Sequence, residues 1–88
     1  MLDTPAFNLY DNPLHTGFTI TFLNGITVSI CWGEMNYSDH GATTAECAAY
    51  DTDGKFIHVN GFHYNGDDVL PRLSAEDVAR FMFSASVM

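Results

Sequence analysis

The chain has 88 residues, 47% of them apolar, with seven Phe, four Tyr and one Trp, which suffices for one core and argues against a disordered chain. Eleven acids face three bases for a formal net charge of −8, and residues 1–54 hold seven acids but neither Lys nor Arg. A nucleic-acid binder needs cations at the phosphates, so direct DNA or RNA binding is not expected.

No apolar run approaches the length of a membrane span. The first segment, MLDTPAFNLYDN, has no basic region and does not read as a secretory signal. Two cysteines, Cys31 and Cys47, lack metal-type spacing and fit a reducing, cytoplasmic setting. With no repeat or linker, residues 1–88 read as a single domain.

The clearest local pattern is TGFTITFLNGITVSICW, residues 16–32. Apolar and hydroxyl side chains alternate on both sides of Asn24-Gly25. A two-residue turn would place the two apolar sets on opposite faces. A three-residue loop, Leu23-Asn24-Gly25, repairs this, with Gly25 in the left-handed position. Phe22 then faces Ile26, Ile20 faces Val28, Phe18 faces Ile30 and Thr16 faces Trp32. Thr21–Thr27 and Thr19–Ser29 form a hydroxyl-rich opposite face.

A second hairpin is expected in TTAECAAYDTDGKFIHV, residues 43–59, around Thr52-Asp53-Gly54. Its register pairs Ala49 with Ile57 and Cys47 with Val59 on one face, Tyr50 with Phe56 and Ala48 with His58 on the other. Ala45, Ala48 and Ala49 leave room for a helix to approach. A helical reading of TTAECAAY is also open, because Ala and Glu favour helix and Thr43 or Thr44 could cap it. Further on, Phe62-His63-Tyr64 reads as a short edge strand, residues 65–68 as a turn, and Val69 and Leu70 as a return to the core before Pro71. The last element is a helix. Ser74 is a good N-cap, Glu76 and Asp77 suit the positive helix end, and Val78, Phe81, Met82 and Ala85 form one apolar stripe. The expected fold is α+β and two-layered: an antiparallel four- to five-stranded sheet built from hairpins, with one C-terminal helix packed on a face.

Chemistry-bearing motifs are sparse. The four histidines, His15, His40, His58 and His63, show no zinc-type spacing, so no metal is expected. Asp51-Thr52-Asp53-Gly54 resembles the start of a calcium loop, but the later ligands do not follow and a hairpin turn explains it. Cys31 and Cys47 lie on strands with no histidine beside them in sequence. Asp67-Asp68 and Glu76-Asp77 suit a turn and a helix cap better than paired acid–base work. An enzyme is not expected, nor is a cofactor.

What is left is an acidic, aromatic loop, WGEMNYSDHGATTAE, residues 32–46, joined by acidic turns. Trp32 and Tyr37 are large anchors with little rotamer entropy. Glu34, Asp39, Glu46, Asp51, Asp53, Asp67 and Asp68 surround them with carboxylates. The functional reading is a contact surface for a basic partner protein. The plainer one has Trp32 and Tyr37 closing the core, with the acids merely solvated.

Across most of its length, in YDNPLHTGFTITFLNGITVSICWGEMNYSD and NGDDVLPRLSAEDVARFM, the chain resembles small acidic proteins encoded by bacteriophages and mobile elements. Such proteins include inhibitors of host defence, anti-CRISPR proteins among them, some of which occupy the basic nucleic-acid channel of a CRISPR-Cas complex. The resemblance implies a non-enzymatic inhibitor acting in the host bacterial cytoplasm. Two alternatives stand beside it: a protein that sequesters a nucleotide signal, using Lys55, Arg72 or Arg80 at the phosphate, and a regulatory homodimer or larger homo-oligomer.

Overall fold

The computed structural model describes residues 6–11, 16–32 and 44–88. Its first organising feature is the loop at Asn24-Gly25. Strand β2 (Thr16–Thr21) and strand β3 (Thr27–Trp32) pair antiparallel with Ile20 opposite Val28, Phe18 opposite Ile30 and Thr16 opposite Trp32. The Phe22 N–H donates to the Ile26 carbonyl (2.9 Å) and the Gly25 N–H to the Phe22 carbonyl (2.9 Å). Gly25 takes φ +88°, the left-handed region that a side chain disfavours. On the opposite face the Thr21 and Thr27 hydroxyls meet at 2.8 Å. The three-residue loop and its register are as the alternation required.

Strand β4 (Ala45–Tyr50) pairs with β3, so AECAAY is extended, as the hairpin reading expects, and not helical. Strand β5 is only Phe56–Ile57, with Ala49 opposite Ile57 and Tyr50 opposite Phe56. The turn between them closes through Asp51. Its N–H donates to the Lys55 carbonyl (2.9 Å), and its Oδ1 accepts from the Asp53 N–H (2.8 Å) and the Lys55 N–H (3.0 Å).

Past Ile57 the structure departs from expectation. Cys47–Val59 and Ala48–His58 do not pair. Strand β6 (Val69–Leu73) occupies that stretch of the β4 edge, with Ala48 opposite Val69, Cys47 opposite Leu70 and Ala45 opposite Leu73. The physical reason lies in the side chains. Val69, Leu70 and Leu73 offer three apolar groups to the edge, whereas His58 and Asn60 would bring polar ones. Phe62-His63-Tyr64 forms no strand either. Instead, the Tyr64 hydroxyl accepts from the Val59 N–H (3.1 Å), holding Val59 in the core without a ladder.

Strand β6 runs through Pro71, which an edge strand tolerates. Between Cys47 and Ala45 it advances three residues against two, a bulge in which Arg72 takes φ +56°. Strand β1 (Ala6–Asp11), which the alternation analysis assigned to no element, pairs with β2 as a further edge. Among the described residues the result is a six-stranded antiparallel sheet, ordered β1-β2-β3-β4-β5 with β6 also on β4.

Helix α1 (Ala75–Ser86) starts at Ser74, whose hydroxyl accepts from the Asp77 N–H (3.2 Å). It lies over β4 and touches β3 and β6. Phe81 and Ala85 are fully buried, and Val78 and Met82 pack at the rim of the core. Small side chains on β4 make this approach possible, since Ala45, Cys47 and Ala49 are buried there. The protein is thus α+β, one helix on one face of an antiparallel sheet. Among the described residues no helix is long and apolar enough to cross a membrane.

The helix leaves part of the sheet open. Directly opposed residues of neighbouring strands share a face, so Leu9, Phe18, Ile30, Cys47 and Leu70 form one row across the sheet. Phe7, Ile20, Val28, Ala49 and Ile57 form the next. Both rows are buried under α1 at β3 and β4. At β1 they emerge: Phe7 is 77% and Leu9 81% exposed.

Candidate functional site

The residues expected at the site divide among three places. Glu34, Tyr37 and Asp39 lie outside the described residues. Trp32 sits at the end of β3 on the helix side, its ring edge-on to Phe18 at 6.5 Å. There it lines a groove of about 370 Å³ with Phe18, Ile30, Leu73, Val78 and Met82. Glu46 stands opposite Cys31 on the other face, with the thiol 3.8 Å from its Oε1. The register sets Trp32 and Glu46 at the end of the sheet away from the Asp51–Asp53 turn.

The four aspartates lie as two pairs along one edge of β4. Asp51 and Asp53 form the turn leading into β5, and Asp67 and Asp68 sit beside the segment that leaves it. The link is His58, whose Nε2 lies 2.9 Å from Asp68 Oδ1 and whose ring stacks on Tyr64 at 3.9 Å. Because β5 is so short, the rise of an extended chain separates the two pairs by roughly 15–20 Å. Sequence reasoning named these four residues, but it could not see that β6 displaces the expected pairing and sets the second pair on the same edge as the first.

Each carboxylate also has a local task. Asp51 closes its own turn, as described above. Asp67 Oδ1 accepts from the Asp68 N–H (2.7 Å) and the Val69 N–H (3.4 Å), fixing the approach to β6. Asp68 meets His58 in an exposed pair whose contribution to stability is small. Asp53 lies exposed at the turn. The edge is therefore acidic partly for reasons of chain folding, with Lys55 set between the two pairs.

Of the remaining cations, Arg72 lies on β6 at the same edge of β4, whereas Arg80 stands on α1. Arg80 donates to Asp77 Oδ1 (3.0 Å) and to the Gly61 carbonyl (3.3 Å), and its guanidinium lies 4.4 Å above the Phe62 ring. Arg80, followed by the Ser74 hydroxyl, holds the Asp77 carboxyl below the usual carboxylate range.

Burial sets the state of the Cys47 thiol and of the Tyr50 and Tyr64 phenols. Burial pushes the Cys47 thiol up to about 12, with Cys31, Glu46 and Asp77 adding to the effect, so at neutral pH it is protonated and a poor nucleophile. Burial likewise raises the Tyr50 and Tyr64 hydroxyls. No three His, Cys, Asp or Glu side chains cluster as metal ligands among the described residues. A second depression of about 440 Å³ opens between the two hairpin turns, lined by Thr21, Thr27, Tyr50, Asp51, Thr52 and glycine backbone. Among the described residues its lining has no Lys or Arg, and Asp51 would repel a phosphate.

No family model, curated protein or solved structure matches the chain.

Proposed function

We propose that this chain is a non-catalytic binding protein whose acidic edge around β5 docks on a basic surface of a partner protein, of the kind that otherwise holds nucleic acid. The partner class implied by the resemblance to phage-encoded proteins is a host defence complex such as a CRISPR-Cas effector, blocked by mimicry of phosphate charge. The observation that carries the reading is that Asp51 and Asp53, and some distance along Asp67 and Asp68, lie as two pairs on the same edge of β4, on a chain of formal charge −8. Such an edge steers a cationic partner and repels acidic ones. Trp32 and Glu46 lie away from it and are not part of this surface. Sequestration of a nucleotide gains no support from a depression lined by hydroxyls and a carboxylate.

The test is capture from a bacterial lysate at rising salt, with the wild type compared with an Asp53→Lys/Asp68→Lys variant. Neither substitution removes an acceptor that closes a turn. The expected result is a nucleic-acid-binding partner whose capture weakens at least tenfold in the variant, falls with salt and is competed by added nucleic acid. A partner without a basic channel, or capture indifferent to both salt and charge reversal, would overturn the reading.

A further inference from the structure

We infer that the β1 edge is a second interaction surface and that its occupant is another copy of this chain, paired antiparallel through β1 to make one continuous sheet. An edge strand carries unpaired N–H and C=O groups, and natural edges are blunted by Lys, Pro, charge or a bulge. Residues Ala6 to Tyr10 contain none of the first three, and their pairing with β2 is free of register shifts. The strand also presents Phe7 and Leu9 almost fully to solvent, at the open end of the two apolar rows.

Charge decides the kind of partner. Across residues 6–11 and 16–32 the only Asp, Glu, Lys or Arg is Asp11. The other described acids lie on β4 or later in the chain, and the acidic edge beyond β4 is roughly 15–20 Å from β1 by strand spacing. That exceeds the screening length of about 8 Å at physiological salt. A basic partner has little to seek at β1, whereas a second copy meets a neutral surface and keeps the two acidic edges at opposite ends of the joined sheet.

The strand is also self-complementary. With Asn8 opposite Asn8 of the other copy on a two-fold axis, Phe7 faces Leu9 twice and Ala6 faces Tyr10 twice. Five residues overlap, and Asp11 falls outside the overlap. Even spacing about Asn8 keeps the apolar rows of both copies on one face, so both helices lie on the same side.

The proposal is tested by light scattering of the purified chain over a concentration series. The wild type is expected at twice the monomer mass, and a Phe7→Lys/Leu9→Lys variant at the monomer mass with an unchanged circular dichroism spectrum. In parallel, Asn8→Cys should form a disulfide-linked dimer under mild oxidation while Ala6→Cys does not, against the low background of buried Cys31 and Cys47. A wild type that stays monomeric throughout overturns the proposal, as does a dimer that survives the double substitution. If the double variant does not fold, the cysteine pair decides, and failure of Asn8→Cys to cross-link overturns it.

Discussion

Asn24 joins the two layers of the protein. Its Oδ1 accepts from the Ile26 N–H (3.0 Å) inside the first hairpin, while its Nδ2 donates to the Ala85 carbonyl (2.9 Å) and the Met88 carbonyl (3.3 Å). The last turn of α1 carries no basic residue, so this amide supplies the compensation that Lys or Arg would otherwise give. Asn24→Asp keeps the hairpin acceptor, loses the donor and sets a negative charge against the negative helix end. The expected cost is about 1–2 kcal/mol, read by chemical denaturation, with β-structure retained. At the other end of the helix, the lowered Asp77 carboxyl works with the opposite polarity. A depressed folded pKa contributes stability above the ordinary carboxylate value near 4, and that contribution is lost as pH falls through the lowered value. Wild type should therefore melt above Asp77→Asn at neutral pH, and the gap should close in acid. A gap that persists at the acid end would contradict the assignment.

At the scale of elements, alternation made the first hairpin legible down to its register, because a single register puts Phe18, Ile20, Phe22, Ile26, Val28 and Ile30 together. The helix was legible from Ser74 and the stripe ending at Ala85. The β5–β6 exchange was not. The pattern at His58 and Val59 permits continued pairing, and only Val69, Leu70 and Leu73, distant in sequence, outcompete it. Strand β1 escaped because its apolar residues Phe7 and Leu9 sit at an exposed edge rather than in the core. Of the candidate site, the acid pairs were legible as turn residues, but their neighbourhood depends on that long-range exchange. The β6 bulge yields its own prediction. Arg72 holds a left-handed conformation that costs an L-residue roughly 1 kcal/mol, so Arg72→Gly should stabilise the fold by up to about that amount, seen as a raised denaturation midpoint. A loss of stability would mean that the exposed Arg72 side chain contributes more than its backbone costs.

Among the described residues the sheet is polarised from edge to edge. One margin, β1, is apolar with Asp11 at its end; the other, around β5, holds four aspartates, and α1 covers the middle. The two proposed surfaces are therefore independent in space, and their tests are independent as well. Charge reversal at Asp53 and Asp68 should leave the solution mass unchanged. Lysines at Phe7 and Leu9 should spare charge-driven capture, apart from any avidity that two linked acidic margins provide. A dimer of this geometry would hold its acidic margins several strand widths apart, suiting it to a partner with repeated cationic sites.

The amide that bridges hairpin and helix carries a chemical liability. An asparagine followed by glycine is the dipeptide most prone to lose its side-chain nitrogen, through attack by the next backbone nitrogen. Here that nitrogen belongs to Gly25, whose N–H is engaged by Phe22, and the amide itself is held by two helix carbonyls. The folded state thus guards the bond, and each opening of the loop exposes it. Loss of ammonia through the cyclic imide, and its opening by water, would leave aspartate or its backbone-shifted isomer at position 24, so the end of the helix would lose its amide donor and face one more negative charge.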